Sequence, residues 1–140
     1  MSIRLCTLII FIVVLAADAI ASDGTYAINL ANSRELGTYM TNATFFTLYH
    51  YLGDSPGKGI STCYGNCSKI WPPFYTDNLT FNPELKSRYF HIISRDDGSK
   101  QLTYRGWPLY LYSGDSKPYE TKGQAMKGVW FVVNPGNLTR

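Results

Sequence analysis

The sequence predicts an all-β protein: a small compact antiparallel β-domain with an internal pseudo-two-fold repeat, preceded by a signal-peptide helix. Three observations lead there. Beyond residue 21, Tyr, Thr, Phe and Val gather in short runs broken by Gly, Asn, Asp and Pro, a composition that favours strands and turns. The segment Leu48–Ser55 returns as Leu109–Ser116, 61 residues later, with six of eight positions identical, and each copy is followed by a loop and a tryptophan, Trp71 or Trp130. A duplication constrains the architecture before other arguments do, and two copies are too few for a solenoid. Finally, the first 21 residues have the layout of an export signal.

That signal consists of a positive Arg4, an apolar run from Leu5 to Ala17, and the small-x-small triplet Ala19-Ile20-Ala21, which predicts cleavage before Ser22. The run is shorter than the roughly 20 residues of a membrane span, so no stable span is expected after cleavage. A lipid anchor needs a cysteine just after such a run, whereas Cys6 sits before its end. Residues 22–140 are left as a single secreted β-domain, long enough for one modest core and not two. The net charge of +3 comes from scattered Lys and Arg, without the basic stripe of a nucleic-acid footprint.

Strands are expected at about 25–30, 37–41, 45–52, 89–95, 100–104, 108–113 and 129–133. Asp96-Asp97-Gly98 reads as a hairpin turn and Arg105-Gly106 as the next, giving a three-stranded meander. The long loops are 53–70 and 114–128, rich in Gly, Ser, Lys and Pro.

The repeated unit reads Tyr-x-Tyr-x-x-Asp. Residues two apart on a strand share a face, so Tyr49 and Tyr51 point together, as do Tyr110 and Tyr112. Asp54 and Asp115 then open the loops, where each is expected to hold an Asx-turn. This makes the motif structural first, with ligand contact as the second use of the same residues. Trp71-Pro72-Pro73 reads as a rigid packed corner, with Trp130 as its counterpart. In an exported chain the two remaining cysteines, Cys63 and Cys67, are expected to pair. Four sequons, at Asn42, Asn66, Asn78 and Asn137, predict a glycosylated surface.

On these residues the chain resembles the "secreted repeat of unknown function" family, also described as predicted lipoproteins with a Y-x-[FWY]-x-x-D motif. Tyr49–Asp54, Cys63-x-Gly65-x-Cys67, Trp71-Pro72-Pro73 and Asp97-Gly98 with Gln101 carry the likeness. It continues through Thr103-Tyr104-x-Gly106-x-Pro108-Leu109-Tyr110, Asp115, Pro118, Gly123-Gln124 and Gly128-x-Trp130, covering about residues 36–135. The resemblance implies an extracytoplasmic β-domain and brings no activity with it. Three departures stand out. The lipidated cysteine is missing, Phe45 stands near where the first hairpin usually has a glycine, and Pro118-Tyr119-Glu120 replaces Pro-Gly-Asp, so backbone geometry that needs this last glycine is expected to differ.

No catalytic constellation emerges. His50 alternates out of phase with Tyr49 and Tyr51, and His91 lies in a strand without a motif around it. Cys63, Cys67, His50 and His91 do not match a zinc spacing. Asp115 and Glu120 are weak calcium candidates, and no cofactor is expected. Trp107, Tyr119 and Tyr75 are candidate sugar contacts. The leading expectation is an extracytoplasmic cell-envelope binding or structural module, with an envelope protein or glycan as partner. The alternative is a redox or metal-associated accessory protein using the Cys63–Cys67 pair or the loop carboxylates.

Overall fold

The computed structural model describes residues 26–138, so the signal-peptide helix expected over 1–21 lies outside the described residues. Seven strands are present among them: β1 (Ile28–Ser33), β2 (Gly37–Asn42), β3 (Tyr49–Tyr51), β4 (Phe90–Ser94), β5 (Lys100–Tyr104), β6 (Trp107–Pro108) and β7 (Trp130–Val132). A five-residue helix α1 (Asn66–Ile70) interrupts the first long loop, where a loop alone is expected. At little more than one turn it is too short to leave a 3.6-residue pattern in sequence.

Each repeat begins with a hairpin. β1 pairs antiparallel with β2, from Ile28 opposite Asn42 to Ser33 opposite Gly37, and β4 pairs with β5 in the second repeat. Arg105 and Gly106 turn the chain into β6 with φ of 48° and 82°. Positive φ at both central residues is the two-residue hairpin geometry that suits twisted strands. The expected strand 108–113 is not continuous. Trp107–Pro108 pairs with β5, and beyond it Leu111 N–H and Ser113 N–H donate to Pro72 and Ile70 carbonyls. This stretch changes partners midway, so strand-like composition does not become one ladder.

The pseudo-two-fold symmetry is written in the backbone hydrogen bonds. In one half Met40 N–H donates to Val133, Val133 N–H to Leu48, and Leu48 N–H to Met40, closing a three-strand ring. In the other, Leu102 donates to Phe74, Phe74 to Leu109, and Leu109 to Leu102. The halves meet where Tyr49 and Tyr110 exchange both backbone bonds, at 2.8 and 2.9 Å. Here Trp71-Pro72-Pro73, the expected corner, runs extended beside residues 110–113 as β7 runs beside β3.

Strand alternation sorts the core into two layers. Ile28, Met40, Leu48, Phe90, Leu102, Leu109 and Val133 pack on one side. Their chain neighbours Tyr39, Tyr49, Tyr110 and Val132 join Trp71 and Trp130 on the other.

Phe45 and Tyr119, two aromatics where the resemblance implies glycine, both hold left-handed backbone, which at Tyr119 runs against the expectation of an altered geometry. Their φ values are 63° and 64°. Such values are costly for bulky side chains. The two residues are neighbours: Tyr119 N–H donates to the Phe45 carbonyl at 2.9 Å, and their rings stack with centroids 5.2 Å apart. Each strained residue thus gains its contact from the other departure.

Candidate functional site

The motif residues converge from both repeats, and they exchange partners. Tyr49 of the first repeat donates its hydroxyl to Asp115 Oδ2 of the second at 2.7 Å, and Tyr110 of the second donates to Asp54 Oδ2 of the first at 2.6 Å. The remaining carboxylate oxygens hold loops. Asp54 Oδ1 accepts from Thr62 N–H and Oγ1, and Asp115 Oδ1 accepts from Lys122 N–H. These bonds span eight and seven residues, so the aspartates close whole loops where an Asx-turn within two residues is expected. Burial raises the pKa of both tyrosines strongly, and the neighbouring carboxylate raises it further. Burial also raises that of Asp115, against the lowering effect of the Tyr49 donor. Both hydroxyls therefore remain protonated donors.

Each hydroxyl also accepts. Tyr49 takes an N–H bond from Gly123 at 3.3 Å, and Tyr110 lies 2.6 Å from Ser61 Oγ. Since Tyr110 gives its proton to Asp54, Ser61 must give its own to Tyr110. The chain then ends on Arg95, whose Nη1 donates to Ser61 Oγ at 2.6 Å and to Gln101 Oε1 at 2.7 Å, while Nη2 donates to the Cys63 carbonyl. Arg95 is buried, with Asp97 at 3.8 Å as its ion-pair partner. Sequence reasoning missed Arg95 and Ser61, because single polar residues in a strand end and a loop carry no spacing signal.

The second tyrosines build a different feature. Tyr51 stacks on Trp130, Trp130 on Trp71, and Trp71 on Tyr112, with centroids 4.5, 3.9 and 4.4 Å apart. The tryptophan pair is parallel to within 1°. Gly53 and Gly114 close the two ends, because a Cβ at either would collide with the Tyr51 or Tyr112 ring. This explains the glycine before each aspartate in the repeat.

Beside the stack opens a groove of about 510 Å³, lined by Tyr51, Cys67, Ile70, Tyr112, Met126 and Val129 among others. Cys63 and Cys67 form the expected disulfide, with Cα atoms 5.3 Å apart, which holds α1 against this groove. Ile70 remains half exposed at its rim.

Other candidates are scattered. Glu120 caps its own loop by accepting from Ser116 N–H, which with Lys122 lowers its pKa to about 2. His50 is buried against Trp107 and Phe131, while His91 is exposed. Among the described residues no group of three or more His, Cys, Asp or Glu is placed to hold a metal ion. Tyr119 is half exposed on Phe45, Tyr75 lies under Lys100, and Trp107 packs on His50. Of the sequons, Asn66, Asn78 and Asn137 are exposed, and Asn42 caps a turn through Thr44 and Phe46.

A duplicated β-domain whose repeated-motif side chains lock the two copies together, with an open groove beside the lock, is a repeat module in class. The chain belongs to the family described as secreted repeat of unknown function, whose model matches twice, over residues 31–75 and 91–134. No curated protein and no solved structure matches the chain. Among the described residues no helix is long and apolar enough to cross a membrane.

Proposed function

We propose that this chain is an extracytoplasmic cell-envelope binding module, processed before Ser22, which holds apolar side chains of an envelope protein in the groove beside the Trp71–Trp130 stack. The observation that supports this is the groove itself: an apolar opening of about 510 Å³ with Ile70 exposed at its rim. Exposed apolar surface of this kind marks interaction sites. Met126 lines it, and methionine adapts to varied partners.

A neutral glycan fits less well. Sugars stack on free aromatic faces, and here both faces of Trp71 and Trp130 are covered by other rings. The motif itself supports the structural half of the reading. Its tyrosines and aspartates satisfy each other, with no nucleophile–base pair in their midst.

The test is a photocrosslinker at Met126, used on the oxidised protein in its own envelope fraction. The crosslinked protein is then purified and titrated against wild type and Ile70→Glu. The expected result is a crosslink to an apolar residue and at least tenfold weaker binding by the variant, at unchanged melting temperature. A partner that binds both forms equally, or a neutral glycan recovered at Met126, would overturn the proposal.

A further inference from the structure

A second opening lies on the outer face of the β4–β5 hairpin, away from the stacked tryptophans. It has a volume of about 370 Å³ and is lined by Arg88, Tyr89, His91, Thr103 and Arg105, with Gly57 and Gly59 of the first loop opposite. The strand register places it: His91 sits opposite Thr103, and Arg105 N–H donates to the Tyr89 carbonyl. His91, Thr103 and Arg105 therefore project from the same sheet face, and Arg88, in the 3-10 turn Ser87–Tyr89 that leads into β4, lines the same opening.

The arginines share one support. The Arg88 and Arg105 guanidinium carbons lie 4.9 and 4.6 Å from the Tyr89 ring centroid, and Arg88 Nη2 donates to the Tyr89 hydroxyl at 3.2 Å. A guanidinium resting on a ring keeps donors free for an oxyanion, and Arg88 spends only its Nη2 on the Tyr89 hydroxyl. No carboxylate uses those donors. Among the described residues the ion pairs within 4.0 Å are Arg95–Asp97 and Lys122–Glu120, and neither involves Arg88 or Arg105. Lys86 adds positive charge at the adjoining hollow, which shares Tyr89 and Arg105 and has Glu84 as its acidic member.

We infer that this basin is an anion-binding site for an oxyanion group, a phosphate or a sulfate ester, carried on an acidic extracellular polysaccharide. Two oriented guanidiniums that no carboxylate engages suit recognition of such a group. The volume exceeds what one oxyanion fills, which leaves room for the sugar that bears it. This site is independent of the apolar groove and of its protein partner.

The probes are dextran sulfate and a phosphorylated dextran of matched charge density, with neutral dextran as the control, titrated into the oxidised protein. Wild type, Arg88→Gln, Arg105→Gln, the double variant and Lys117→Gln are compared, the last removing one charge from another loop. Amide shifts are followed by NMR. We expect shifts centred on Gly57, Gly59, Thr103 and Arg105. Each arginine change should weaken binding about tenfold, with little effect of Lys117→Gln. The tighter of the two charged dextrans identifies the ester. Binding that survives in the double variant, that Lys117→Gln weakens equally, or that neutral dextran matches would overturn the inference.

Discussion

Asp54 and Asp115 occupy equivalent positions in the repeat, yet the residues around them differ in what they can tolerate. At the second site, Asp115→Asn turns an amide toward the Tyr49 hydroxyl, which already accepts from Gly123, so the Tyr49 proton loses its acceptor. A buried unsatisfied donor costs about 1–3 kcal/mol. At the first site, Asp54→Asn forces the chain through Tyr110 and Ser61 to reverse, and Ser61 then faces Arg95 with its own proton stranded. The buried guanidinium also loses the carboxylate at the far end of that chain. Arg95 keeps Asp97 as its ion-pair partner, so this second loss adds to the first but stays short of about 3–5 kcal/mol, the cost of breaking a direct buried pair. Urea unfolding should therefore rank Asp54→Asn as the more damaging by about 1 kcal/mol or more, on that scale. Equal losses at the two sites would show that Arg95 is not coupled to Asp54.

At the scale of an element, the outer rings of the four-ring stack are seated on two glycines. Tyr51 and Tyr112 fold back over Gly53 and Gly114, and no Cβ fits beneath either ring. Gly53→Ala or Gly114→Ala should push the outer ring off its tryptophan, at about 1–3 kcal/mol for an overpacked site. The parallel Trp71–Trp130 pair provides the readout, since displacement at either end alters its near-ultraviolet circular dichroism. A variant with full stability and an unchanged spectrum would mean the glycine is not what seats the ring. The hairpin turns at 96–98 and 105–106 were legible in sequence because turn chemistry is local. Helix α1 and the broken 108–113 stretch were not, as one is a five-residue helix that starts within the Cys63–Cys67 ring and runs past it and the other depends on a change of strand partner.

For the molecule as a whole, His50 sets an acid limit. It is wholly buried, neither ring nitrogen makes a well-formed hydrogen bond, and burial lowers its pKa to about 4 against the weaker raising effect of the Leu138 and Phe131 backbones. An unfolded histidine titrates near 6.5. Between those values the unfolded chain binds the extra proton, so the contribution is complete above about pH 6.5 and is lost as pH falls toward 4. The loss amounts to about 3 kcal/mol at most. Asp115, whose pKa is raised, works in the opposite sense at the lower end of the range. The stability of wild type should thus fall between pH 6.5 and 4, and His50→Leu should flatten that slope. An unchanged slope in the variant would place the acid sensitivity elsewhere.

The sequence by itself determined the β class, the duplication, the facing of Tyr49 with Tyr51 and of Tyr110 with Tyr112, and the Cys63–Cys67 bridge. The duplication shows as a self-match at an offset of 61 residues, and the others follow from composition, from a period of two, or from two cysteines four residues apart, which are properties of nearby positions. Only the tertiary structure decided that each repeat's tyrosine answers the other repeat's aspartate, 66 and 56 residues away, and that Arg95 ends one of those chains. It also decided that Phe45 and Tyr119, two departures 74 positions apart in the sequence, lie ring on ring. A pseudo-two-fold axis pairs each position with a partner in the other copy, and a hydrogen bond across it leaves no mark on the residues beside either end.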